Sequence, residues 1–258
     1  MRDAGVVWAK PERVPLDLLA RLVRIFGLGE LPRVLAPVVG WRPAEDERRL
    51  DSAIREECGR RGWLDGRGRL DIDVETALRV LCRPGRECYG WINDGRVTRG
   101  VLAASVGRNA MLAIGDADSV SLRHVSANAL AARLVAQAPD VPPGAGAAVT
   151  VRRSEVLAHA AGTRRSGTVR VRPPSADVRW AAATAAAPTT GSGELWVAAR
   201  DRGGRRREVN PVSYVDTKAG RYLVATKDVG GDTEVLLAPA TARGLAARLN
   251  EAHRLLLR

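Results

Sequence analysis

GRNAMLAIGDADSVSLRHVSANALAARL, residues 107–134, returns as GRYLVATKDVGGDTEVLLAPATARGLAARL, residues 220–249. Counting back from the shared ends, Val120 matches Val235, Leu122 matches Leu237, Ser126 matches Thr241, and Leu130-Ala131-Ala132-Arg133-Leu134 matches Leu245-Ala246-Ala247-Arg248-Leu249. The copies differ in length by two residues, which fall around Asp116–Asp118 in one and Asp228–Asp232 in the other. Turns tolerate insertions, so the match reads as a duplicated structure.

Working outward, the first copy extends back through ECYGWIN and VTRGVLAASVG, separated by Asp94-Gly95, a hairpin signal between alternating runs. Ser126 is placed to cap the helix that carries LAARL. The second copy extends back through ELWVAAR and EVNPVSYVDT, with Gly204-Arg205 standing where Gly95-Arg96 stood. Each copy is therefore expected to run ββββα, which predicts an α+β fold with a pseudo-two-fold axis. The halves are placed at about 1–138 and 194–258, joined by a connector over 139–193.

Before the first repeat, Val6-Val7-Trp8 reads as a short strand. PLDLLARLVRIFG and LDIDVETALRVLCRP read as helices, and a long polar helix over about Ala44–Arg61 lies between them. Glu45, Asp46 and Glu47 suit the positive end of that helix. In the connector, VTVRRSEVLAHAAG reads as a strand and short helix, TRRSGTVRVRPPS as a basic loop, ADVRWAAATAAA as a helix and PTTGSG as a flexible joint.

The formal charge is +12, and of 41 basic residues only Lys10, Lys218 and Lys227 are lysines. The excess is uneven, +3 over residues 1–140 and +9 over residues 141–258. Three cysteines without CxxC spacing support neither a disulfide framework nor a zinc site. No stretch approaches the ~18 uninterrupted apolar residues of a spanning helix, and the N-terminal apolar run is broken by Lys10 and Pro11, too short for a signal-peptide core. These features predict a soluble, cytoplasmic protein.

Candidate chemistry is sparse. His124, His159 and His253 have no Cys, Asp or Glu at ligand spacing. Gly191-Ser192-Gly193 lacks the context of a nucleophile elbow, and Gly144-Ala145-Gly146 opens no helix. No catalytic cluster, metal set or cofactor motif is expected. The densest polar feature is RDRGGRRRE, residues 200–208, which could grip phosphates or keep a hairpin tip soluble and blunt a strand edge. The tryptophans are spread through the chain. Trp91 and Trp196 fall in the first strand of each repeat, where one of them could face a partner.

Three stretches, FGLGELPRVL (26–35), GRLDIDVETALRVLCRPGRECYGWI (68–92) and ARDRGGRRREVNPVSYVDTKAGRYLV (199–224), carry a resemblance to the EspG family, cytosolic chaperones of actinobacterial type VII (ESX) secretion. The resemblance implies a central antiparallel sheet built from both repeats and flanked by helical bundles. It also implies a protein without catalysis or cofactor that binds the apolar helical tip of the PPE subunit in a PE–PPE-like pair, masks it from aggregation and marks it for one secretion machine, with another helical-hairpin type VII substrate as the alternative cargo. In the family the contact uses the central sheet, the loop between the first two strands of the N-terminal repeat and the C-terminal helical bundle. Carried onto this sequence, the loop is Asn93, Asp94, Gly95 and Arg96, and the sheet contribution is Trp196, Arg200, Tyr214 and Arg221. Monomer and homodimer both fit the pattern. The alternative expectation is a basic nucleic-acid-binding protein using Arg200–Arg207 and Arg164–Arg172.

Overall fold

The structure, a computed structural model, describes residues 8–37, 43–162, 173–201 and 203–256. Trp41, Arg202 and the basic stretch Arg164–Arg172 lie outside the described residues. The strands are β1 (Glu12–Pro15), β2 (Arg86–Asn93), β3 (Thr98–Val106), β4 (Asn109–Gly115), β5 (Ser119–His124), β6 (Val149–Arg152), β7 (Thr189–Arg200), β8 (Arg206–Glu208), β9 (Val212–Thr217), β10 (Gly220–Val229) and β11 (Asp232–Pro239). The helices are α1 (Leu16–Ile25), α2 (Ala44–Arg60), α3 (Ile72–Cys82), α4 (Leu130–Val135), α5 (Arg153–Gly162), α6 (Ala176–Ala186) and α7 (Ala242–Leu256).

All the strands form one antiparallel sheet in the order β1-β5-β4-β3-β2-β7-β9-β10-β11-β6, with β8 on β7 off this path. The two repeats meet at β2 and β7, where Tyr89 lies opposite Trp196 and Gly90 opposite Leu195. Symmetry extends to the edges: β1 pairs with β5 in one half as β6 pairs with β11 in the other. The matched caps also recur, since Ser126 Oγ accepts from the Asn128 amide and Thr241 Oγ1 from the Gly244 amide.

Two expectations change. The strand expected at Val6-Val7-Trp8 lies outside the described residues except for Trp8, which sits in a turn with φ of 57°, and the first strand among the described residues is Glu12–Pro15. PTTGSG is no joint, because Thr189–Gly193 form the start of β7, paired with β9 on one side and, from Ser192, with β2 on the other. The two extra residues of the second copy lengthen a hairpin rather than its turn. β10 and β11 pair out to Val229 and Asp232 around Gly230-Gly231, both at positive φ, the backbone a two-residue hairpin turn of this hand requires.

Alternation of side chains sends each strand's two faces into different cores. On one face Cys88, Ile92, Leu195 and Val197 pack beneath α4 and α7, which touch each other across the pseudo-axis. On the other face α1, α2 and α3 cover β3, β4 and β5 at one wing, while α5 and α6 pack on the β6–β11 edge at the other. The helix α2 is tied to α1 by Arg21, whose guanidinium meets Glu47 at 2.9 Å and Asp51 at 3.3 Å. Glu47 of the acidic trio is thus bound to a partner as well as placed at a helix start.

His253 of α7 is 3% exposed and lies beside the Arg86 guanidinium, which donates to its Nδ1 at 3.0 Å. Burial, with the Arg86 charge adding to it, lowers its pKa to about 4. The unfolded chain takes up a proton near the ordinary histidine value, so this contribution to stability is complete above about pH 6.5 and is lost as the pH falls towards 4. The loss is on the order of 3 kcal/mol. Urea titrations of the wild type should show that decline, and His253→Gln should flatten it. A slope unchanged by the substitution refutes the assignment.

Candidate partner-binding groove

The wings are roofed by helices, but the middle of the second face is open. There β2 presents Glu87, Tyr89 and Trp91, and β7 presents Glu194, Trp196 and Ala198 opposite Trp91, Tyr89 and Glu87 respectively. An open groove of about 1060 Å³ runs over this strip, walled by the loop Gly27–Arg33 and by Arg83 and Pro84. The loop continues into the turn Arg33–Leu35, which can sit this low because β3 has Gly100 beneath it. A Cβ at Gly100 would stand 1.7 Å from the Val34 carbonyl oxygen, so only glycine admits the contact.

The floor is aromatic. Trp196 stacks on Tyr89, centroids 5.8 Å apart and planes 13° from parallel, and meets Trp91 edge-on at 5.5 Å. Both geometries are favourable for rings with negative faces and positive edges. Trp91 is 37% exposed, unusually open for a large apolar side chain in the middle of a sheet.

One end of the groove is held by charge. Arg206 of β8 reaches across to donate to Glu87 at 2.7 Å and to Glu208 at 2.6 Å, with its guanidinium 5.2 Å from the Tyr89 ring centre. The Tyr89 hydroxyl donates to Glu208. Burial, and then the bond to that carboxylate, push the Tyr89 hydroxyl up to about 12, so it remains a donor at physiological pH. Burial works against the Arg206 charge, but Tyr89, Glu87 and Glu208 outweigh it and raise its pKa. Arg206 is thus committed within the protein, and one of the arginines of the nucleic-acid reading is already neutralised.

Of the residues expected to meet a partner, the structure brings Trp196 and Arg200 to the groove. Arg200 also donates to the Gly204 carbonyl at 3.2 Å, closing the turn between β7 and β8. Asn93, Asp94, Gly95 and Arg96 form the tight turn between β2 and β3, beyond Trp91. Asn93 accepts from the Gly95 amide at 2.7 Å, and Asp94 accepts from the Arg96 and Val97 amides at 3.0 Å each. Those amides hold the Asp94 carboxyl below its ordinary range. The turn is short and does not line the groove.

Tyr214 and Arg221 belong to the interior. They are 2% and 1% exposed on the opposite face, so neither has surface to offer a partner. Arg221 donates to both oxygens of Asp216, at 2.6 and 2.8 Å, and to the Pro139 carbonyl at 2.8 Å, with Tyr214 4.4 Å from its guanidinium carbon. An arginine opposite an aspartate across a hairpin is a fold contact, and β9 and β10 place these two in register. Sequence reasoning missed Glu87, Tyr89 and Glu208. The signal for the first two was the spacing Glu87-x-Tyr89-x-Trp91, a polar and aromatic face set against the apolar Cys88 and Ile92.

A model of the EspG family matches residues 15–251. No curated protein matches the sequence. Among solved structures, the fold is similar to that of the Mycobacterium tuberculosis type VII secretion system chaperone EspG5, solved in complex with a PE25–PPE41 dimer. That likeness has a TM-score of 0.67 at 16% identity and covers 94% of this chain and 95% of the other. Among the described residues no helix is long and apolar enough to cross a membrane. With its family match running through both repeats and the connector, the chain belongs to the EspG family.

Proposed function

We propose that this protein is a cytosolic type VII secretion chaperone that seats the apolar tip of a PPE-like helical hairpin in the groove over β2 and β7 and delivers it to its secretion system. The observation that carries the reading is the open aromatic strip Tyr89–Trp196–Trp91 in the middle of an otherwise roofed sheet. Family membership and the likeness to a chaperone solved with a PE–PPE dimer support it.

A hairpin tip rich in apolar side chains is prone to aggregate in water, and a concave aromatic surface covers it without chemistry. Large rigid rings lose little freedom on contact, and tryptophan is enriched among residues that dominate such interfaces. No catalytic step is part of the proposal. Co-expression with a PE–PPE-like pair encoded beside its gene should yield one soluble complex holding one copy of each chain. Recovery of this protein alone, with the PPE-like chain equally soluble in its absence, would sink the reading.

A further inference from the structure

Besides the longer β10–β11 hairpin, the two repeats differ in the strand that follows the first hairpin turn. In the first, β3 pairs with β2 without interruption from Ser105 opposite Arg86 to Thr98 opposite Asn93, and β4 pairs with β3 along its whole length. In the second, the matching strand is broken. Between Leu195–Val212 and Ala198–Glu208, two residues of β7 face three residues, Val209, Asn210 and Pro211. The extra residue and the proline, which has no amide to give, end the ladder and turn β8 away from β9.

The neighbouring strand does not follow. β10 pairs with β9 only from Gly220 to Val224, while Ala225–Val229 continue with β11 on one side and no ladder on the other. β8 is likewise paired only with β7 among the described residues. The sheet therefore forks, with a main-chain edge on each tine. An open edge inside a sheet is a template for a further strand.

Side-chain parity says what that strand should carry. Arg207 lies opposite Ala199 and so shares its face of the sheet, Arg205 is two residues before it, and Lys227 shares the face of Leu223. Arg207 and Lys227 thus point to one side of the fork, with Arg205 in the turn that leads into β8, and none of the three has an ion pair among the described residues. On the same tip Glu234 lies opposite Lys227 across the β10–β11 ladder, and three other acids are engaged elsewhere. Asp201 accepts from the Gly203 and Arg205 amides, Asp228 from the Thr233 hydroxyl, and Glu208 from Arg206.

We propose that the fork between β8 and β10 is a strand-addition site for an extended peptide segment with carboxylates at alternate positions, its backbone pairing along Ala225–Val229 and its acids meeting Arg205, Arg207 and Lys227. Alternation follows from the two-residue period of a strand. A second copy of this chain fits poorly, because it would bring the same cations face to face. The site shares β8 with the aromatic groove, whose end Arg206 and Glu208 line, but uses that strand's other face and does not depend on the chaperone reading.

The probe is a capped eight-residue peptide with glutamate at alternate positions and threonine or valine between, labelled for anisotropy. Binding to the full chain should slow amide exchange within Ala225–Val229. Backbone N-methylation of alternate residues should abolish it, and Arg207→Gln with Lys227→Gln should weaken it at least about ten-fold with the melting temperature unchanged. Absence of binding would leave the cations as guards of a bare edge and overturn the proposal. So would binding indifferent to N-methylation, which is charge attraction alone, or self-association that occupies the same amides.

Discussion

Asp216→Ala should lower the unfolding free energy by about 3–5 kcal/mol, the range for removing one partner of a buried ion pair. Asp216 and Arg221 are each 1% exposed, and among the described residues Arg221 has no other ion pair, Asp140 acting on its charge only from further off. Without Asp216 the guanidinium keeps the Pro139 carbonyl and the Tyr214 ring, which supply dipole and quadrupole but no counter-charge. The effect should spread, because the backbone of Arg221 also anchors the connector. Its amide donates to the Pro142 carbonyl at 2.8 Å and its carbonyl accepts from the Gly144 amide at 2.9 Å. Urea denaturation reads the loss directly. Arg221→Met in the same chain should restore a large part of it, since the pair's net worth is small while an orphaned charge is costly. If the double variant is no more stable than Asp216→Ala, the orphaned-charge account is wrong.

Trp196→Ala should weaken association with a PPE-like partner by about 2 kcal/mol or more, roughly thirty-fold, the scale of a dominant interface tryptophan. Trp196 stands between Tyr89 and Trp91, in contact with both, so its removal takes away floor area and leaves its neighbours without their shared packing partner. Because Trp196 is itself half-buried, some of the loss could come from the fold. Trp91→Ser separates the two effects, since Trp91 is 37% exposed and its replacement touches little of the core. Affinity reduced in both variants, with Trp91→Ser melting as the wild type does, places the partner on the aromatic strip. Wild-type affinity in both variants rules the strip out as the docking surface.

Much of the architecture was legible because the duplication supplies its own control. LAARL and LAARL end in buried leucines of α4 and α7, and Gly-Arg punctuates the matching hairpins in both copies. What was missed was decided by neighbours distant in sequence. Thr189–Gly193 have the composition of a linker and become strand only because β2 and β9 supply ladders on either side. Arg221 and Tyr214 have the chemistry of surface contacts, and they are interior because Asp216 neutralises one and the sheet face covers the other. That pairing had a local signal, Asp216 and Arg221 placed symmetrically about a two-residue turn, which outweighs an arginine's general preference for water. The groove was half visible. Its tryptophans stood out, while Glu87 and Glu208 looked like ordinary surface acids until β8 brought Arg206 between them.

The seam between β2 and β7 has a temporal meaning as well. Arg86 pairs with Ala199, so the strand that closes the first repeat emerges more than a hundred residues after the edge it must cover. During synthesis the first repeat waits with β2 bare, its apolar Cys88 and Ile92 on one face and its rings on the other. A growing chain in that state is at its most vulnerable to pairing with the wrong strand, including the β2 of a neighbouring nascent chain. The order of emergence thus gives the seam a period of exposure that the finished contacts do not show.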